Sequence, residues 1–254
     1  MKKIILFLIV MAAFAMPVSI FSQCRGGGGA VCGPAGMRFL EVDAHILVGG
    51  SYVTENYMSC FPEISDLNAG MGLAVGAGLG VKFNLTRTLG LGTGFNYVRN
   101  RGTLDMAVTG EGAASISNVF QTNTYYAVDF PVYLSYAPYI ASGVRWNFDF
   151  GLFYSYGVRG KQKNTIYNAK TNDLGQLMTS KTYLETDYYK DGAFINSFKR
   201  ADIGLHLATG ITFFHHLKLG VRTHIGFKNV AKSTGLRHPS SHNLSFMAMA
   251  GWVF

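Results

Sequence analysis

Nine charged residues and three histidines in this sequence fall at alternate positions of strand-like runs, which would aim all twelve at one enclosed space. Glu41, Asp43, Asp129, Asp149 and Asp202 stand against Lys82, Arg145, Lys218 and Arg222, with His45, His206 and His224 as adjustable members. Such a set could relay protons or ions, or it could fill a polar interior with mutual salt bridges. An eight-stranded barrel has an interior just wide enough for side chains to fill. The twelve are therefore expected to form a structural lumen network, with no catalytic, cofactor or metal role.

Other candidates for chemistry lie between the runs. Arg237-His238-Pro239-Ser240-Ser241-His242 offers two histidines and two serines, the material of a hydrolase or metal site, but the spacing fits no specific signature of either. It reads as a solvated connection. His215 and His216 are adjacent in a short turn and are expected to face water. Residues 159–197 carry Arg159, Lys161, Lys163, Lys170, Lys181 and Lys190 among Tyr167, Tyr183, Tyr188 and Tyr189, a mixture suited to anionic lipopolysaccharide, glycans or a protein partner. That segment is too long for a structureless connection, so it is expected to contain strand extensions. Cys24, Cys32 and Cys60 all lie outside the runs; Cys24 and Cys32 could pair in an oxidising compartment, leaving Cys60 unpaired. Gln23 argues against lipidation of Cys24, because such sites want a small residue there.

The elements that position these residues are eight stretches of period-two alternation from Arg38 onward. The clearest sets Leu73, Val75, Ala77, Leu79, Val81 and Phe83 against Gly72, Ala74, Gly76, Gly78, Gly80 and Lys82. A soluble sandwich would alternate too, but three features point to a membrane. The connections alternate between long (50–69, 100–122, 159–197, 228–242) and short (84–88, 137–143, 215–216), the rhythm of extracellular loops and periplasmic turns. Each run reaches the 9 to 11 or so residues needed by a tilted spanning strand. Tyr97, Tyr125, Tyr126, Tyr136, Tyr154, Tyr156, Trp252 and Phe254 sit near run ends, as girdle residues would. In lipid an open sheet edge is excluded, so the first strand must pair with the last. Pro131 cannot donate to a ladder, and a bulge or irregularity is expected around it.

Composition agrees with one large β-domain: 31 glycines and 33 Phe and Tyr residues (19 and 14) in 254, with only 14% charged. The formal charge of +8 is spread over strands and loops rather than gathered, which argues against nucleic acid. Residues 1–22 read as a cleaved signal peptide, with Lys2 and Lys3 before the apolar run Ile4 to Ala15. Residues 23–37 form a Gly/Cys tail and 38–254 the barrel. The expected architecture is thus all-β: an eight-stranded antiparallel up-and-down transmembrane β-barrel in the outer membrane, with both termini periplasmic.

The run Tyr126-Ala127-Val128-Asp129-Phe130-Pro131-Val132-Tyr133-Leu134, with Leu89-Gly90-Leu91-Gly92-Thr93-Gly94-Phe95, Asp202-Ile203-Gly204-Leu205 and the closing aromatic Phe254, resembles the PorT-like outer-membrane barrels of Bacteroidetes over roughly residues 37–254. The resemblance implies a Gram-negative outer-membrane protein, an association with secretion, and delivery by the outer-membrane assembly machinery through the terminal aromatic. The function expected is non-enzymatic: a membrane scaffold or binding protein acting through its long outer loops. Its partners would be outer-membrane lipid and lipopolysaccharide, and a protein at 159–197, with no cofactor. The alternatives are an outer-membrane enzyme acting on lipid A or surface peptides, and a narrow channel.

Overall fold

The computed structural model describes residues 39–109, 115–171, 176–190, 198–233 and 237–254. Expectations that fall on residues 1–38, including the signal segment, the tail and its two cysteines, lie outside these. The elements run β1 (Leu40–Glu55), a four-residue helix α1 (Tyr57–Cys60), β2 (Ile64–Asn84), β3 (Leu89–Thr109), β4 (Ser115–Tyr136), β5 (Tyr139–Ala141), β6 (Val144–Thr171), β7 (Leu177–Asp187), β8 (Ala201–Phe213), β9 (Leu217–Gly226) and β10 (Ser241–Val253). Eight of these strands form one antiparallel ring in the order β4-β3-β2-β1-β10-β9-β8-β6, closed by β4 against β6. β1 pairs with β10 from Asp43↔Val253 to Glu55↔Ser241, and the Phe254 amide donates to the Val42 carbonyl at 2.9 Å. Around the ring every strand pairs with a neighbour on each side, and single-sided stretches such as β1 residues 52–55 and β2 residues 64–71 lie only at the long-loop end, so the part in lipid leaves no edge open.

The alternation sorts side chains as the sequence implied. Leu73, Leu79, Leu91, Val132, Phe150, Leu152 and Ile203 are exposed on the outer surface, while Lys82, Asn96, Asp129, Tyr133, Arg145 and Arg222 are buried inside. Most of the long connections are sheet rather than loop. β2, β3, β4 and β6 are 21, 21, 22 and 28 residues long, so the barrel wall continues well past the apolar band. In the 159–197 segment β6 turns back as β7, from Lys161↔Asp187 to Thr171↔Leu177, a hairpin standing outside the ring.

Pro131 keeps its register with Phe153 on β6, while on the β3 side the ladder stops at Thr93↔Val132 and resumes at Asn96↔Asp129. The missing proline N–H faces β3, where Thr93 Oγ1 donates to the Pro131 carbonyl at 3.0 Å. The irregularity expected at the proline is therefore an interrupted ladder. A register shift in the β4–β6 ladder lies five residues away, between Tyr126 and Ala127.

Inward glycines make room for specific neighbours. A Cβ on Gly92 would overlap the Tyr133 ring, and one on Gly204 would press on the Phe153 ring at 2.6 Å. A bare backbone at these points lets an aromatic ring cross the bore.

Candidate functional site

The twelve inward residues do not form one continuous network. Nearest the short-turn end, Glu41 accepts both guanidinium arms of Arg145 at 2.7 and 2.7 Å, the Lys82 ammonium at 2.9 Å and the Asn84 amide at 2.9 Å. Register places them: Glu41 faces Lys82 across β1–β2, and Arg145 reaches in from β6. A second group joins Asp43 to His45 (2.6 Å) and to Lys218 (3.8 Å), with the other His45 nitrogen 2.6 Å from Asn96 Oδ1. A third surrounds Asp129, which takes the Ser155 hydroxyl at 2.7 Å and lies 3.9 Å from Arg222 and 3.7 Å from His224. His206 and His224 meet at 2.8 Å, and their rings lie against Tyr133 and Phe153.

Two members stand apart. Asp149 takes the Ser135 hydroxyl at 2.6 Å and Asp202 the Asn243 amide at 2.8 Å, and among the described residues neither makes an ion pair. The picture of all twelve as mutual salt bridges is corrected in this respect. Asn84, Asn96, Ser135 and Ser155 complete the groups and were not singled out from the sequence, although their parity in the alternation puts them inside.

Beyond the charges the bore turns apolar. Leu47, Ala74, Val98, Met247 and Met249 pack together inside the ring, with Arg222 touching the Met247 sulfur at 3.8 Å. Further towards the long-loop end a second plug forms from Val53, Tyr125, Ala127, Tyr188, Tyr189, Phe198 and Val230. Tyr125 stacks on Tyr188 at 5.0 Å and Tyr188 on Phe198 at 4.3 Å. Tyr125 is thus an interior residue and not a girdle residue, and Tyr188 and Tyr189 are core rather than loop surface. Three enclosed spaces along the bore hold only about 10, 30 and 20 Å³, room for a water or two each.

The outer candidates separate. His238 pairs with Ser233 at 2.9 Å, and His242 pairs with Ser240 at 3.1 Å, so the two histidines serve different serines and no hydrogen bond joins them. Arg237 forks onto Glu63 at 2.6 and 3.1 Å, which holds that carboxyl below its ordinary range. Cys60 is a free cysteine whose thiol donates to the His238 carbonyl at 3.5 Å. His215 is exposed in a left-handed turn position, but His216 is not a water-facing residue. It contacts the Val253 carbonyl at 2.8 Å and stacks on Trp252 at 5.3 Å.

On the outer hairpin, Lys161 and Lys163 both reach Glu185, at 2.5 and 3.6 Å, and the Lys161 contact in particular lowers that carboxyl's pKa. Lys181 lies 4.9 Å from the centres of both Tyr167 and Tyr183, whose hydroxyls raise its pKa. Within the loop-end wall, Glu55 is held neutral by burial, its pKa pushed up to about 8, with one carboxyl oxygen enclosed and unbonded.

An eight-stranded ring with a greasy exterior and a polar, filled interior is the architecture of a small outer-membrane barrel. Residues 37–232 match the family model described as outer membrane protein beta-barrel domain. The chain belongs to that family. Among solved structures this barrel is similar to Ail, the attachment invasion locus protein of Yersinia pestis, at 15% identity, covering 84% of this chain and 98% of that one with a TM-score of 0.36. It is also similar to the outer membrane protein OprG from Pseudomonas aeruginosa, at 12% identity, covering 84% and 95% with a TM-score of 0.39. Neisserial surface protein A aligns at 9% identity over 84% and 96%, with a TM-score of 0.32. Likenesses this distant carry no functional assignment. No curated protein matches the chain.

Proposed function

We propose that this outer-membrane barrel is a non-enzymatic scaffold and binding protein whose work is done at its long-loop end. The observation behind this reading is that side chains fill the bore at several levels: ion-paired groups, an apolar cluster at Leu47 and Met247, and stacked rings at Tyr125 and Tyr188. In this reading the filled bore leaves a solute no path, and recognition falls to the wall and hairpin beyond the apolar band. In this reading the termini are periplasmic, the β6–β7 hairpin is extracellular and meets a protein partner, and Phe254 serves delivery to the assembly machinery. The barrel wall contacts outer-membrane lipid and lipopolysaccharide. The PorT-like assignment, a Bacteroidetes source and a link to secretion rest on the sequence resemblance alone, carried by the Tyr126 to Leu134 and Leu89 to Phe95 runs, Asp202 to Leu205 and the closing Phe254.

The enzyme alternative centres on His238 and His242. Replacing both with alanine and comparing lipid A structure and surface proteolysis with the unaltered chain tests it. Unchanged profiles are expected; loss of a lipid A modification or of a cleavage would replace the scaffold reading with an enzymatic one.

A further inference from the structure

The outer surface of the wall changes character abruptly on one side. On β3 the outward residues run Leu89, Leu91, Thr93, Phe95, Tyr97 and then Arg99 and Arg101. Register carries the change sideways: Arg99 faces Tyr126 on β4, which faces Arg159 on β6, and Arg101 faces Thr124, which faces Lys161. Tyr97 and Tyr126 stack at 5.9 Å along the rim of the apolar band, and the Arg159 guanidinium lies over Tyr126 at 4.3 Å. Immediately beyond them is an open groove of about 730 Å³ containing Arg99, Arg101, Arg159, Lys161 and Lys163.

Glu185 and Asp187 of β7 border the groove, leaving five cations against two carboxylates, a surplus of three. Glu185 pairs with Lys161 and Lys163 at the far side. Arg99 and Arg101 are exposed on the outward parity of β3, and among the described residues no carboxylate pairs with either. With the long-loop end in the outer leaflet, arginines on the outer wall one step above stacked tyrosines, with no carboxylate partner among the described residues, would lie at the depth of lipid headgroups. Arginine forks match phosphate oxygens in pairs, and the Thr122 and Thr124 hydroxyls lining the same groove suit sugar hydroxyls.

We propose that this groove is a binding site for the phosphorylated sugar headgroup of an outer-leaflet glycolipid, with Arg99, Arg101 and Arg159 holding phosphate. The inference deepens the scaffold reading and rests on its placement of the long-loop end in the outer leaflet. A lipid held there would fasten the β3–β4–β6 wall to the leaflet beside the β6–β7 hairpin.

The test uses the full chain folded into phosphatidylcholine nanodiscs containing bis-phosphorylated lipid A, the same lipid with its phosphates removed, or no glycolipid, with bound lipid read by native mass spectrometry. Phosphorylated lipid A is expected to bind roughly ten-fold more tightly than the dephosphorylated form, as loss of charge-assisted bonds implies. The double variant Arg99→Gln/Arg101→Gln is expected to erase that preference while still folding, seen as an unchanged mobility shift between unheated and boiled samples on a gel. Equal binding of both lipids, or an unchanged preference in the double variant, overturns the site. Inorganic phosphate competing as well as the lipid would show a free-anion site and overturn the lipid assignment. A chain that failed to fold into bilayers would instead sink the membrane scaffold reading itself.

Discussion

Glu41 offers the sharpest test of the lumen. Its carboxylate takes four donors within 2.9 Å, two from Arg145 and one each from Lys82 and Asn84, and its side chain and those of both cations are only 10–11% exposed. Glu41→Gln keeps the shape but removes the negative charge, leaving two buried cations facing each other across the bore. Breaking a buried pair by removing one partner costs about 3 to 5 kcal/mol. The double variant Glu41→Gln/Arg145→Met removes one of the stranded cations, so the two changes should be non-additive by about 0.5 to 3 kcal/mol. Urea titration of the chain folded in lipid vesicles, read by the gel mobility of folded and unfolded bands, gives both numbers. A cost below about 1 kcal/mol for Glu41→Gln, or strict additivity, would mean that water screens these groups and that they do not plug the barrel.

Leu79, outward and 57% exposed in the apolar band, should tolerate arginine poorly: Leu79→Arg is expected to cost about 2 to 4 kcal/mol in the same titration, whereas a neutral result would mean that this face does not meet lipid. Gly92→Val puts branched carbon where the Tyr133 ring lies, and should destabilise by about 1 to 3 kcal/mol, with Gly92→Val/Tyr133→Ala partly restored. Glu55 binds its proton more tightly in the fold than in the unfolded chain, so its effect on stability runs opposite to the usual carboxylate. Stability should be highest below the ordinary pKa of 4.5 and fall as pH rises towards about 8. Glu55→Gln should flatten that fall, and an unchanged pH profile would refute the assignment.

Much of the barrel was legible because its wall imposes a strict two-residue period: once Leu79 is outside, Gly80 and Lys82 must be inside. What escaped lay where residue type competed with position. Tyr125 is on the inward parity of Asp129 and Tyr133, but its aromatic ring reads as a girdle residue, since tyrosines serve both at membrane edges and in stacked cores. Leu47, Met247 and Met249 likewise are apolar side chains on the inward parity, and their packing into one cluster comes from two strands, β1 and β10, brought together by register. His216 could not be placed from its own neighbours, because its partner Trp252 arrives through the β9–β10 pairing. The long connection expected over 50–69 is sheet at both of its ends: β1 continues to Glu55, paired on both sides at Gly49 and Gly50, and β2 begins at Ile64. Arg159, Lys161 and Lys163 of the cationic groove are legible on β6 alone, but Arg99 and Arg101 join them only through the β3–β4–β6 register.

The central claim is that the bore is sealed and that recognition belongs to the outer wall and loops. Single-channel recording of the purified full chain in planar bilayers tests it most directly. No steady conductance above the bare bilayer is predicted, and reproducible ohmic steps from the folded chain would contradict it.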